Sequence, residues 1–98
     1  MEKKIDLVIK RDGKVESKRE VTLKDINLDE RCELMDLMMQ VSKENDSKFF
    51  TNMVNCIRVA TNMTDDMINE FSNEEIIELF RVIGDALNKK KKMKFYLD

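Results

Sequence analysis

Ile5, Leu7 and Ile9 alternate with the polar Asp6 and Lys10, the two-residue period of a half-buried β-strand. Asp12-Gly13 supplies a turn, Val15 resumes the apolar face, and after a polar stretch Val21 and Leu23 again stand two apart. The pattern predicts a hairpin over residues 1–24. A three-residue loop, Arg11-Asp12-Gly13 with Gly13 left-handed, sets Ile9 opposite Val15 on one face, whereas a strict two-residue Asp-Gly turn sets Ile9 opposite Glu16. The three-residue loop is the expected form. A lone hairpin is marginal, so its Ile5, Leu7, Ile9 face is expected to lie on something apolar.

Beyond the hairpin the apolar period changes to that of a helix. Asn27 and Glu30 form the pattern of a capping box, opening a helix to about Glu44 whose Leu28, Cys32, Met35 and Met39 recur at helical spacing, with Leu34, Met38 and Val41 widening the stripe. Asn45-Asp46-Ser47 breaks and recaps the chain. Phe50, Met53, Val54, Ile57 and Ala60 then mark a second helix ending near Thr61-Asn62. Thr64 caps a short third helix carrying Met67, Ile68 and Phe71, with Asp65 and Asp66 in its first turn, where the helix dipole favours negative charge. Ser72 with Glu75 caps a fourth, striped by Ile76, Phe80, Ile83 and Leu87 and backed by Leu79.

With no long linker and no internal repeat, these elements predict one α+β domain over residues 1–98, mainly helical. Its N-terminal β-hairpin (1–24) packs on a bundle of about four α-helices (27–88), and a basic C-terminal tail follows (89–98).

Composition narrows the functional classes. A chain of 98 residues with formal charge −2, 39% charged and 42% hydrophobic has the profile of a folded domain rather than a disordered one. Histidine is absent, which removes the commonest general base and metal ligand. The acids Asp65, Asp66, Glu70, Glu74, Glu75 and Glu78 coincide with helix N-termini and exposed faces. No calcium loop, zinc cluster or phosphate-cradling glycine motif is present. The expectation is a protein without enzymatic activity, cofactor or metal. Cys32 and Cys56 fall on different helices without CxxC spacing, as for two free, buried, inert thiols in a reducing compartment. No stretch matches a signal peptide or a membrane span, so a cytoplasmic location is expected.

The small net charge is a sum of opposed segments: +3 over residues 1–19, −9 over 20–88 and +4 over 89–98. The basic end, Lys89, Lys90, Lys91, Lys92 and Lys94 followed by Phe95 and Tyr96, combines ammonium groups with stackable rings. It supports an alternative reading as a small nucleic-acid-binding or regulatory protein. Five charges beside an acidic body make a modest electrostatic footprint, so nucleic acid is not the expected partner. Seven internal methionines suit core filling, but Met38 and Met39 are adjacent and cannot face the same way, which leaves one for a surface contact.

The lead Val21-Thr-Leu-Lys-Asp-Ile26 into the first helix, and the two capped acidic helices of Ala60-Thr-Asn-Met-Thr-Asp-Asp-Met-Ile-Asn-Glu-Phe-Ser-Asn-Glu-Glu-Ile-Ile-Glu-Leu-Phe80, resemble the tail assembly chaperones of long-tailed bacteriophages. The resemblance spans about three quarters of the chain. It implies a cytoplasmic assembly factor, without enzymatic activity, that binds the tape measure protein and recruits tail tube protein subunits before leaving the finished virion. Family members are often made in two lengths through a ribosomal frameshift. The adenine-rich codons that Lys89 to Lys92 require fit such a slippery site, with six residues following it. A chaperone of this kind needs an apolar surface for helices of its partner. The residues left over for it are Met38 or Met39, Phe49 beside Phe50, Phe95, Tyr96 and Leu97, and the same patch would serve self-association into a homo-oligomer.

Overall fold

The computed structural model describes residues 2–41 and 48–95, with side chains described only through Leu87. Two strands, β1 (Lys3–Arg11) and β2 (Lys14–Leu23), form an antiparallel hairpin, followed by helices α1 (Leu28–Val41), α2 (Phe49–Ala60), α3 (Asp65–Asn69) and α4 (Asn73–Phe95). The fold is α+β and mainly helical.

The hairpin closes differently from the three-residue loop expected. Asp12 and Gly13 both have positive φ, +54° and +78°, as a two-residue type I′ turn requires, because that turn's twist matches the twist of paired strands. Arg11 faces Lys14 and Lys10 faces Val15, but Ile9 then faces Ser17, neither Val15 nor Glu16. Glu16 is the extra residue of a β-bulge. The bulge carries Ile5 opposite Val21 and Leu7 opposite Arg19, so Val21 and Leu23 share the buried face with Leu7. It also turns Val15 outward, leaving it 58% exposed, where the sequence pattern puts it on the apolar face.

That face lies on the helices. Leu7, Val21 and Leu23 join Leu34, Cys56, Ile57, Ala60, Ile68, Ile76, Leu79 and Ile83 in one buried cluster. Removing each of the leucine, isoleucine and valine side chains among them from water contributes about 1.5–3 kcal/mol. The chain past α2 stays extended long enough to touch β2: Leu23 bridges Thr61, and the Lys24 N–H donates to the Ala60 carbonyl at 3.0 Å.

The helix starts predicted from caps at Asn27, Thr64 and Ser72 are found and those caps are made, whereas the N-cap of α2 is Lys48, which makes no side-chain capping bond. The Glu30 N–H donates to Asn27 Oδ1 at 2.8 Å while the Asn27 N–H donates to Glu30 Oε1 at 3.2 Å. Ser72 and Glu75 repeat this reciprocal pair at 2.9 and 3.1 Å. Thr64 Oγ1 accepts from the Met67 N–H at 3.3 Å. These bonds satisfy donors that a helix leaves open at its first turn. The break expected at Asn45-Asp46-Ser47 and the end of α1 expected near Glu44 lie outside the described residues.

The buried face of α1 is not the stripe its spacing favours. Leu28 and Met39 are 74% and 63% exposed, and Cys32 is exposed as well. Leu34 and Val41 are buried instead, with Leu37 and Met38 packed against the core. Apolar side chains stand on several sides of α1, so two stripes at helical spacing compete, and packing on α2 selects the second. At the other end, α4 continues as helix through Phe95, into residues that the charge pattern assigns to a tail.

Candidate protein-binding surface

Two clamps fix the hairpin to the start of α4. Glu75 is 4% exposed in the first turn of α4, held there by its own capping box with Ser72. Its Oε2 accepts from Arg19 Nε at 2.7 Å and from Ser17 Oγ at 3.1 Å. Burial alone raises a carboxyl pKa; the Ser72 N–H, Arg19 and Ser17 together overcome that and hold Glu75 below the ordinary glutamate value. Arg19 also donates to the Glu70 carbonyl at 3.2 Å and lies 4.6 Å above the Phe71 ring, a cation–π distance. At the hairpin tip, Arg11 bonds Glu16 at 2.8 Å and Glu74 at 2.7 Å.

With both oxygens bonded and its charge paired, Glu75 has the environment of a structural carboxylate rather than of a proton-transfer group. The thiol of Cys56 is fully buried and pushed up to about 11 by that burial, which makes it a poor nucleophile. Among the described residues, no cluster of three or more cysteine, aspartate and glutamate side chains is arranged to hold a metal ion, and no helix is long and apolar enough to cross a membrane.

What the surface presents is apolar side chains between ion pairs. Phe49 heads the line of Met53, Cys56 and Ala60 at helical spacing on α2. Those three are at most 1% exposed, yet Phe49 is 42% exposed and Phe50 36%. The apolar stripe of α2 therefore outruns the core at its N-terminal end. Met39, 63% exposed, stands two residues before the end of α1. Phe50 also lines a cleft of about 420 Å³ with Val54, Arg58, Asp65, Phe71 and Ile76, rimmed by a bond from Arg58 Nε to Asp65 at 2.9 Å.

The residues expected from sequence to meet a partner are thus divided. Met39 and Phe49 are exposed, whereas Met38 packs against the core, its methyl 4.0 Å from where a Cβ on Gly84 would stand. Phe95 ends α4. Its side chain and those of Lys89, Lys90, Lys91, Lys92 and Lys94 lie outside the described residues, as do Tyr96 and Leu97 entirely. Cys32, expected buried, is exposed because the α1 face that carries it turns to solvent.

A second apolar cleft, of about 340 Å³, runs between β2 and α3, over Val21, Met63, Met67 and Phe71. Sequence reasoning missed it. The extended segment at Thr61 that shapes it is too short to show a strand period, and only the Thr64 cap marks where the chain turns away.

No family model, no curated protein and no solved structure matches this chain.

Proposed function

We propose that the protein is a non-enzymatic phage tail assembly chaperone, acting in the cytoplasm of the infected cell. On this reading it binds the tape measure protein and helps recruit tail tube subunits. The observation that carries the reading is Phe49, an aromatic side chain on the core-facing line of α2 that is left 42% exposed beyond the core's end. An amphipathic helix of a partner buries its apolar face on such a stripe much as a neighbouring helix of the same bundle does. Met39 and Phe50 extend the apolar area, and the lead Val21 to Ile26 and the capped helices of Ala60 to Phe80 carry the resemblance to the family.

The charge distribution agrees with a protein partner better than with nucleic acid. Four of the five arginines are already bonded to acidic side chains: Arg11 to Glu16 and Glu74, Arg19 to Glu75, Arg58 to Asp65, and Arg81 to Glu78 and Asp85. A phosphate would have to displace those carboxylates to recruit these guanidinium groups.

Co-expression with the tape measure protein of the same genome tests the reading. The expected result is co-purification at 0.5 M salt, about the ionic strength at which a purely electrostatic contact is screened within a few ångströms. Recovery of the chain alone, or with nucleic acid that salt removes, overturns it.

A further inference from the structure

We propose that β2 is also a self-association edge, pairing antiparallel with β2 of a second copy so that two hairpins become one four-stranded sheet. The proposal is independent of the tape measure reading, because it uses a different face of the molecule.

The backbone directions come first. In an antiparallel ladder, successive residues send their N–H and C=O groups alternately to one neighbour and the other. Lys24 directs its N–H away from β1, to Ala60. The same alternation aims the polar backbone groups of Thr22, Glu20 and Lys18 along that edge, since the ladder is regular from Ser17 to Leu23. The chain begins to cover the edge with the Leu23–Thr61 bridge, but Thr64 caps α3 and takes it away. A cleft of about 340 Å³ lies between Arg19–Thr22 and α3, along the part of the edge that the Thr61 segment does not reach.

Charge selects a second copy as the occupant. Lys18 and Glu20 are exposed on the outer face of β2. A two-fold axis at Arg19 sets Lys18 of each chain opposite Glu20 of the other, giving two reciprocal ion pairs that Glu20 shares with Lys4 of its own chain at 3.8 Å; the two Arg19 residues that meet at the axis are each neutralised by their own Glu75 on the inner face. Lys18 and Glu20 are also the positions whose backbone groups point across the axis, so ladder and charge agree on one register. Opposite charges directly across a ladder stabilise it and like charges oppose it. A two-stranded sheet is the least stable kind, and a four-stranded one with an apolar face is markedly more robust. The pairing is short, spanning Ser17 to Val21, and corresponds to a weak dimer that fills between about 10 µM and 1 mM chain.

Sedimentation equilibrium over that range, with charge-swapped variants, tests the proposal. Wild type is expected to shift from monomer to dimer. Glu20→Lys and Lys18→Glu each place two like-charged pairs across the axis and are expected to weaken the dimer at least tenfold. Mixing the two variants in equal amounts restores both ion pairs in a heterodimer, and the double swap K18E/E20K restores them in a homodimer. A variant that merely failed to fold would not be rescued by mixing. Wild type that stays monomeric to 1 mM overturns the proposal, and so does a dimer indifferent to either single swap or one that mixing does not restore.

Discussion

Arg19 Nε and Glu75 Oε2 lie 2.7 Å apart across 56 residues of sequence, and this bond ties the hairpin to the first turn of α4. The carboxylate is buried while the guanidinium is partly in water, so its removal is expected to cost less than breaking a fully buried pair. Arg19→Ala should lower stability to urea by about 1–2 kcal/mol. Glu75→Gln keeps an acceptor for the Ser72 N–H, so it should lose the charge and preserve the cap. A double-mutant cycle on the two residues measures the coupling, and a value near zero would reduce the clamp to a surface contact.

Acid should loosen the fold in a definite direction. Glu75 is held below the ordinary glutamate value for the reasons given above. Glu30 is lowered by its bond to the Lys24 ammonium and by the Asn27 N–H, and Glu78 by Arg81. A carboxyl that is more acidic folded than unfolded contributes stability above its unfolded value, and that contribution is lost as pH falls through its folded value. Urea midpoints should therefore be flat near neutrality and fall as pH drops below about 4.5, the ordinary glutamate value. Glu75→Gln should make the fall shallower.

The two thiols should react at very different rates. Cys32 is exposed and Cys56 fully buried, with Cys56 pushed up to about 11. A thiol reagent at neutral pH should label one cysteine promptly and the second only on unfolding. Prompt labelling of both would contradict the placement of α1 and α2.

Gly84 sits inside α4, where glycine costs about 0.5–1 kcal/mol relative to alanine. A Cβ there meets only the Met38 methyl, at 4.0 Å, an ordinary contact. Gly84→Ala should raise thermal stability by about that amount, read as an upward shift in Tm. A loss would mean that α1 lies closer to α4 than 4.0 Å implies.

These expectations draw on features that differ in how far the sequence reveals them. Helix starts were legible because capping is local: Asn27 with Glu30, Thr64, and Ser72 with Glu75 each signal within four residues. The α1 face was not, because Leu28, Cys32, Met35, Met39 and Leu34, Leu37, Met38, Val41 both satisfy helical spacing, and only contact with α2 chooses between them. Nothing in Val15-Glu16-Ser17 announces a bulge, whose effect is felt six residues away, at Val21. The Arg19–Glu75 clamp and the β2 cleft are non-local and have no sequence signal. Among the surface residues, Phe49 was legible as an apolar position left over once α2 had faced the core, and Met38 and Met39 only as a pair of which one faces out. Which of Met38 and Met39 faces inward depends on which side of α1 packs on the core, which no local pattern fixes.

The central claim is that the apolar end of the α1–α2 pair receives a helix of the tape measure protein. Titrating helical fragments of that protein into the chain, with binding read by calorimetry, tests it most directly. The account predicts saturable binding by at least one fragment, weakened at least tenfold by Met39→Asp with Phe49→Asp while Arg19→Ala leaves it unchanged. Absence of binding by every fragment, or binding that the Met39 and Phe49 changes leave intact, would contradict it.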